Sequence, residues 1–265
     1  SWVFNCCQSL TSVTMPDSVT KIRDHTFFGC SKLTNLTIPD TVTSIGEGAF
    51  SGCDSMESVV LPSGITTIGK YAFDSCSGLT SVIIPDSVIS IGDQAFYSCS
   101  GLTSVIIPDS VISIGDQAFT GCYSIDRIEV STENDVYCGV NDCLIEKSTK
   151  KLILGCKNSI IPTNGSVTRI GDYAFARCSG LTSITIPNGV SDIGTFAFAA
   201  CGDLTSITIP SSIANIETFV FLACESLTNV VFEGTKEQWA ALYKDGIFAE
   251  TQVSAVKCSD GEFEI

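Results

Sequence analysis

The stretch SCSGLTSVIIPDSVISIGDQAF occupies residues 75–96 and recurs without a change at residues 98–119. A catalytic centre gathers unlike groups at one point. Verbatim repetition at a fixed step builds an array. The question is how far the step extends. Cys7, Cys30, Cys53, Cys76, Cys99 and Cys122 are evenly spaced, and Cys178, Cys201 and Cys224 resume the same step. The gap from Cys122 to Cys178 holds one ordinary step and one longer unit.

Other columns keep the same period. Phe4, Phe27, Phe50, Phe73, Phe96, Phe119, Phe175, Phe198 and Phe221 each stand three before a ladder cysteine. Pro16, Pro39, Pro62, Pro85, Pro108, Pro187 and Pro210 each stand nine after one. Between them runs an apolar alternation, as in Leu79/Val82/Ile84 and Leu204/Ile207/Ile209, which is the pattern of a strand. Pro-Asp-Ser or Pro-Asn-Gly then makes a turn. A second apolar pair follows, such as Val88/Ile91, then Gly, then Ala-Phe. The glycine column, Gly46, Gly69, Gly92, Gly115, Gly171 and Gly194, is expected to supply a positive φ. Arg23 and Glu217 interrupt it. A 23-residue period of this kind predicts an α/β-type, mostly β repeat solenoid: a right-handed leucine-rich-repeat solenoid with short parallel strands. One coil cannot bury its apolar face alone, whereas stacked copies close a continuous core. Identical coils stack because each column fits its own copy. The expected organisation is a solenoid over 1–232, with a longer hairpin-bearing unit at 129–161, and a C-terminal cap over 233–265.

The balance of 29 acids against 14 bases gives a net charge of −15. Such a chain repels phosphate backbones and anionic headgroups, so nucleic acid is not an expected partner. No apolar run approaches the ~18 residues that cross a bilayer, so membrane insertion of this stretch is not expected either. The opening SWVFNCCQSL starts inside a coil, so the N-terminus reads as trimmed and missing targeting signals carry little information.

Fourteen cysteines would suit a disulfide scaffold, but their single-column placement does not. Equivalent Cβ atoms of stacked strands lie ~4.8 Å apart, and a disulfide needs about 3.8 Å. The ladder is expected to be buried, reduced thiols filling the core. Cys138 and Cys143 lie off the ladder around an Asn141-Asp142 turn, where they are not directly opposed; their redox state stays open. With neither a histidine column nor a C-x-x-C pair, no metal site is expected.

The unit CSGLTSVIIPDSVISIGDQAFYSC resembles the BspA-like leucine-rich repeat family of bacterial and protozoan surface proteins. The resemblance rests on the repeat length, the L-T-S-V-x-I-P run, the I-G and A-F steps and the Cys-Ser-Gly start, and it covers nearly the whole chain from Phe4 onward. Residues 133–162 resemble the family's longer hairpin variant, with Asn141-Asp142 where that variant has Asp-Gly. The tail from Val230 resembles the family's closing segment, in which Thr235 caps a short helix, Trp239 and Leu242 point inward and residues 253–258 add a final strand. The resemblance implies a secreted or cell-surface protein, of a kind in which some members adhere to host matrix proteins or other microbes. It carries no catalytic residues and no cofactor.

Chemistry is sparse in the residues themselves. The single histidine, His25, sits at a variable position of its repeat and is expected to be surface variation. Two acidic columns, Asp17/Asp40/Asp86/Asp109 and Glu47/Asp93/Asp116/Asp172, would repel along the stack unless calcium bridged them. Ser63, Asn188, Ser211, Lys70 and Thr195 take the same positions and discard the charge. Turn formers and N-caps are therefore the expected roles. The outward strand column is more informative. It reads Thr14, Thr37, Val60, Ile83, Ile106, Glu129, Thr185, Thr208 and Val231. Val60, Ile83 and Ile106 make an apolar stripe over three coils, bordered by Arg127 and Glu129, and contiguous apolar surface marks binding sites. The expected function is non-catalytic binding of a protein or glycan at the cell surface through that stripe. The alternative is a structural spacer in a larger surface protein, whose outward columns would be uniformly polar.

Overall fold

A computed structural model describes residues 2–265, with Asn35 through its backbone alone. Ser1, the first residue of the opening that reads as trimmed, lies outside them. The chain forms two compact units, Ser1–Val136 and Tyr137–Ile265. Each is a parallel-β solenoid whose coils keep the period of the sequence, so that Ser113 lies beside Ser90 in one and Ser206 beside Ser183 in the other.

In the first unit the strands after the cysteines pair in parallel two coils at a time. Ser12–Thr14 pairs with Asn35–Thr37, Ser58–Val60 with Ser81–Ile83, and Ser104–Ile107 with Arg127–Val130. Two-residue strands at the second apolar pair make a five-stranded parallel ladder from Lys21–Ile22 to Ser113–Ile114. The third side is held by backbone bonds at alternate residues. The Phe50, Phe73 and Phe96 amides donate to the Ala72, Ala95 and Ala118 carbonyls of the next coil at 2.7–2.8 Å.

The phenylalanine column is a stack of rings. Phe4, Phe27, Phe50, Phe73, Phe96 and Phe119 follow one another at 5.2–5.4 Å, close to parallel. Offset stacking of this kind adds to the burial of each ring. The cysteine column does more than fill space. Cys53 Sγ donates to the Phe27 carbonyl, Cys76 Sγ to Phe50, Cys99 Sγ to Phe73 and Cys122 Sγ to Phe96, at 3.0–3.3 Å. Each thiol therefore ties its coil to the one before. Among the described residues the cysteines are free. In the hairpin Cys138 faces Ile145 and Cys143 faces Val140.

The glycine column has a different cause from the one expected. None of Gly46, Gly69, Gly92, Gly115, Gly171 and Gly194 has a positive φ. They are glycine because the preceding coil leaves no room. A Cβ on Gly92 would stand 2.6 Å from the Lys70 backbone nitrogen, and one on Gly115 2.3 Å from that of Asp93. The left-handed turns fall two residues later, on Tyr71, Gln94, Gln117, Tyr173, Phe196 and Phe219, and again just before the ladder cysteines. The second acidic column opens the turn that follows each glycine, as a turn former does, and caps no helix. Asp24, Asp93 and Asp172 lay one carboxylate oxygen over the next glycine and accept the following backbone N–H, of Glu47, Asp116 and Thr195, at 2.8–3.1 Å. Lys70, which interrupts that column, lies 3.6 Å from Asp93.

The second unit opens with the longer repeat. Tyr137–Val140, Cys143–Glu146 and Lys151–Leu154 are antiparallel neighbours, and Lys151–Leu154 then pairs in parallel with Arg169–Ile170, which continues through Asp192–Ile193 to Asn215–Ile216. Its ring stack runs Phe175, Phe198, Phe221, Phe248 at 5.0–5.6 Å. At the C-terminus Thr235 caps the helix Lys236–Leu242 through a reciprocal bond pair with Gln238. Trp239 is fully buried and Leu242 packs half-buried against the core. The strand expected to be final is not. Ala255–Cys258 pairs in parallel with Asn229–Phe232, and Gly261–Glu264 folds back antiparallel onto it. Two acidic residues in GEFE obscured that alternation.

Three outcomes test this packing. Phe96→Ala removes one ring from the stack and is expected to cost about 3–5 kcal/mol in denaturant unfolding; a near-neutral result would remove the spine. Gly92→Ala, at a φ that alanine adopts freely, is expected to cost about 1–3 kcal/mol by overpacking, with Ser90→Ala as the neutral control. Burial pushes the Cys53 and Cys178 thiols up to about 12. The folded chain thus keeps protons that the unfolded chain releases near 9, and stability is expected to be full below pH 9 and to fall as pH rises toward 12. Thermal melts across that range check it.

Candidate functional site

The strands of the first unit alternate inward and outward, so the apolar outward column is a surface feature. Val59, Val82 and Val105 are buried, while Val60, Ile83 and Ile106 next to them are 76%, 73% and 54% exposed. Val60 stands opposite Ile83 in the parallel register. Ile106 stands opposite Glu129, and Ser104 opposite Arg127. Arg127 and Glu129 form an ion pair with each other on the strand surface, leaving the edge of the stripe charged but internally balanced. Val60 and Ile83 share one strand pair, whereas Ile106 shares the next with Glu129. Ser58 and Ser81, also exposed, flank Val60 and Ile83 along their strands.

Such a surface binds by removing apolar area from water, at roughly 25 cal/mol per Å². It offers no proton to move. The chemistry elsewhere is equally quiet. His25 stacks on the Trp2 ring at 4.3 Å, beside Phe28. Burial raises the thiols of Cys53, Cys76, Cys143 and Cys178 away from the thiolate that a nucleophile needs. Among the described residues no cluster of three histidine, cysteine or acidic side chains is placed to hold a metal ion, and no helix is long and apolar enough to cross a membrane.

Two features escaped the reading of the sequence. Ile89 and Ile112, in the turn before the second ladder, are also exposed. They sit between Val88 and Ser90 and between Val111 and Ser113, where the buried positions fall three apart, as Val88 and Ile91 do, and period-two reasoning has no purchase. The other is a polar groove beside the second ladder of the second unit, lined by residues from four strands including Lys151, Arg169, Asp192 and Asn215. Its residues lie in a column that is Ser or Thr at Ser44, Thr67, Ser90 and Ser113, and only the departure from those four could have signalled it.

Residues 1–126 and 149–263 match the BspA type Leucine rich repeat region, in six copies. Among solved structures the chain is similar to a leucine rich cell surface protein from Faecalibacterium prausnitzii A2-165, at 29% identity and a TM-score of 0.76, over 97% of this chain and 75% of that one. It is also similar to a leucine-rich repeat protein from Bacteroides ovatus, at 25% identity and a TM-score of 0.59, over 94% and 69% of the two chains. The pneumococcal vaccine antigen PcpA shares the fold, at 18% identity and a TM-score of 0.61, over 92% and 78%. A search of curated proteins returns no match. Coil length, column pattern and matched residues together place the chain in the BspA-type leucine-rich repeat family.

Proposed function

We propose that the chain is a non-catalytic adhesive module of a secreted or cell-surface protein, and that it holds a protein or glycan partner through Val60, Ile83 and Ile106 with Arg127 and Glu129 at the rim. The observation that carries this reading is three large apolar side chains exposed on successive coils of a chain whose outward column is otherwise Thr-rich. The similar protein of F. prausnitzii is described as a cell surface protein, which supports the location. Repeat solenoids present extended sheet surfaces to their partners, which supports the face. A spacer without its own ligand would keep that column polar throughout, as Thr14, Thr37, Thr185 and Thr208 do elsewhere.

The test is a binding screen of the chain against extracellular-matrix proteins and a glycan array, beside an Ile83→Ser, Ile106→Ser double variant. Both side chains face outward, so the variant is expected to melt within about 0.5 kcal/mol of the parent. Each isoleucine buried by a partner contributes about 1.5–3 kcal/mol, so binding is expected to fall more than tenfold. Binding that survives the double variant would move the contact off this face. A folded chain that binds nothing would favour the spacer.

A further inference from the structure

Residues 163–166, Thr-Asn-Gly-Ser, bend the chain between the strands Lys151–Leu154 and Arg169–Ile170. Buried Ile161 and Val167 anchor the two ends of the bend, while Thr163, Asn164 and Gly165 are exposed. The Ser166 amide donates to Asn164 Oδ1 at 3.0 Å, the local bond by which an asparagine side chain reaches the backbone two residues on. Among the described residues the Gly165 amide has no hydrogen-bond partner. A Cβ on Gly165 would meet nothing within 4 Å, so the nitrogen is open from that side too.

The second unit carries another Asn-Gly pair, Asn188-Gly189, which is also exposed. Its surroundings differ. The Val190 amide closes a turn on the Pro187 carbonyl at 3.3 Å. The Gly189 amide donates to Ser212 Oγ of the next coil at 3.1 Å, and Ser212 Oγ donates to the Val190 carbonyl at 2.8 Å. The same dipeptide thus has its glycine nitrogen open in one place and clamped in the other.

We propose that Asn164 is a self-modifying site, converted to an acid by attack of the Gly165 nitrogen on Asn164 Cγ. Water takes the Gly165 amide proton, an N–Cγ bond closes a five-membered imide, and Nδ2 departs with a proton as ammonia. Water then opens the imide at either carbonyl. One opening leaves an aspartyl residue, the other an isoaspartyl residue whose backbone runs through Cγ. One water enters, one ammonia leaves, and nothing is oxidised or reduced. The bend favours the first step in two ways. The attacking nitrogen gives up no hydrogen bond. The oxyanion that develops on Oδ1 already has the Ser166 amide as its donor. At Asn188 the same attack must break the Gly189–Ser212 bond and rotate the closed turn. Each conversion adds a carboxylate to a chain whose net charge is already −15. The isoaspartyl product also lengthens the backbone, a change that the buried Ile161 and Val167 confine to the bend.

The proposal is independent of the stripe, which lies in the other unit. Peptide mapping by mass spectrometry of the full chain, kept folded in mildly alkaline buffer, tests it, with enzymatic detection of isoaspartate as a second readout. Asn164 is expected to convert at least tenfold faster than Asn188. In guanidinium chloride, where both local structures are lost, the two sites are expected to convert at similar rates. Ser212→Ala releases the Gly189 amide and is expected to speed Asn188 several-fold while leaving Asn164 unchanged. Gly165→Ala crowds the attacking nitrogen and is expected to slow Asn164 at least tenfold; the other comparisons stand if that variant fails to fold. Equal rates in the folded chain, faster conversion of Asn188, a difference that persists in denaturant, or an Asn188 rate unchanged by Ser212→Ala would overturn the proposal.

Discussion

Everything in this molecule depends on the chain returning to the same point once per repeat, at the spacing of paired strands. That constraint is severe at one place in the coil. Where the second ladder ends, successive backbones come so close that a single methyl group would collide with the coil beneath. The glycine that relieves this also opens the path along which an aspartate reaches the next amide. The two columns are therefore one device. The glycine without the aspartate leaves an amide with no partner, and the aspartate without the glycine has no room to reach it.

The interior obeys the same constraint by repetition. A ring must meet its own copy, so one phenylalanine fixes the choice for the next. Cysteine is suited to its column because it is small, tolerates burial and still donates a bond to the carbonyl of the coil before. Serine would offer the bond at a higher cost of burial, and alanine would offer none. Burial raises the thiols of Cys53, Cys76, Cys143 and Cys178 and so keeps them protonated.

Much of this was legible in the residues. Period, strand facing and the phenylalanine spine follow from spacing and alternation, because each repeats, whereas the capped helix at Thr235 followed from the family resemblance. The misses have physical reasons. Glycine was read for its backbone freedom, whereas Gly92 and Gly115 serve a contact between coils that no single coil reveals. Phe248 completes the second ring stack beyond Phe221, off the period that identified the others. Gly261–Glu264 alternates only weakly. The groove at Lys151 and Arg169 depends on how side chains of four successive strands line up, and that is a property of the stack rather than of one repeat.

The two identical coils have a consequence for reach. Residues 75–96 and 98–119 present the same rings, valines and thiols to whatever lies above and below. A copy can be added or removed between them without any neighbour meeting a new shape. Each such event lengthens or shortens that unit by one strand spacing, about 4.8 Å, and carries two more or two fewer exposed isoleucines with it. The distance over which the module projects, and the number of contacts it can make at once, are thus adjustable in equal steps by a change that leaves folding alone.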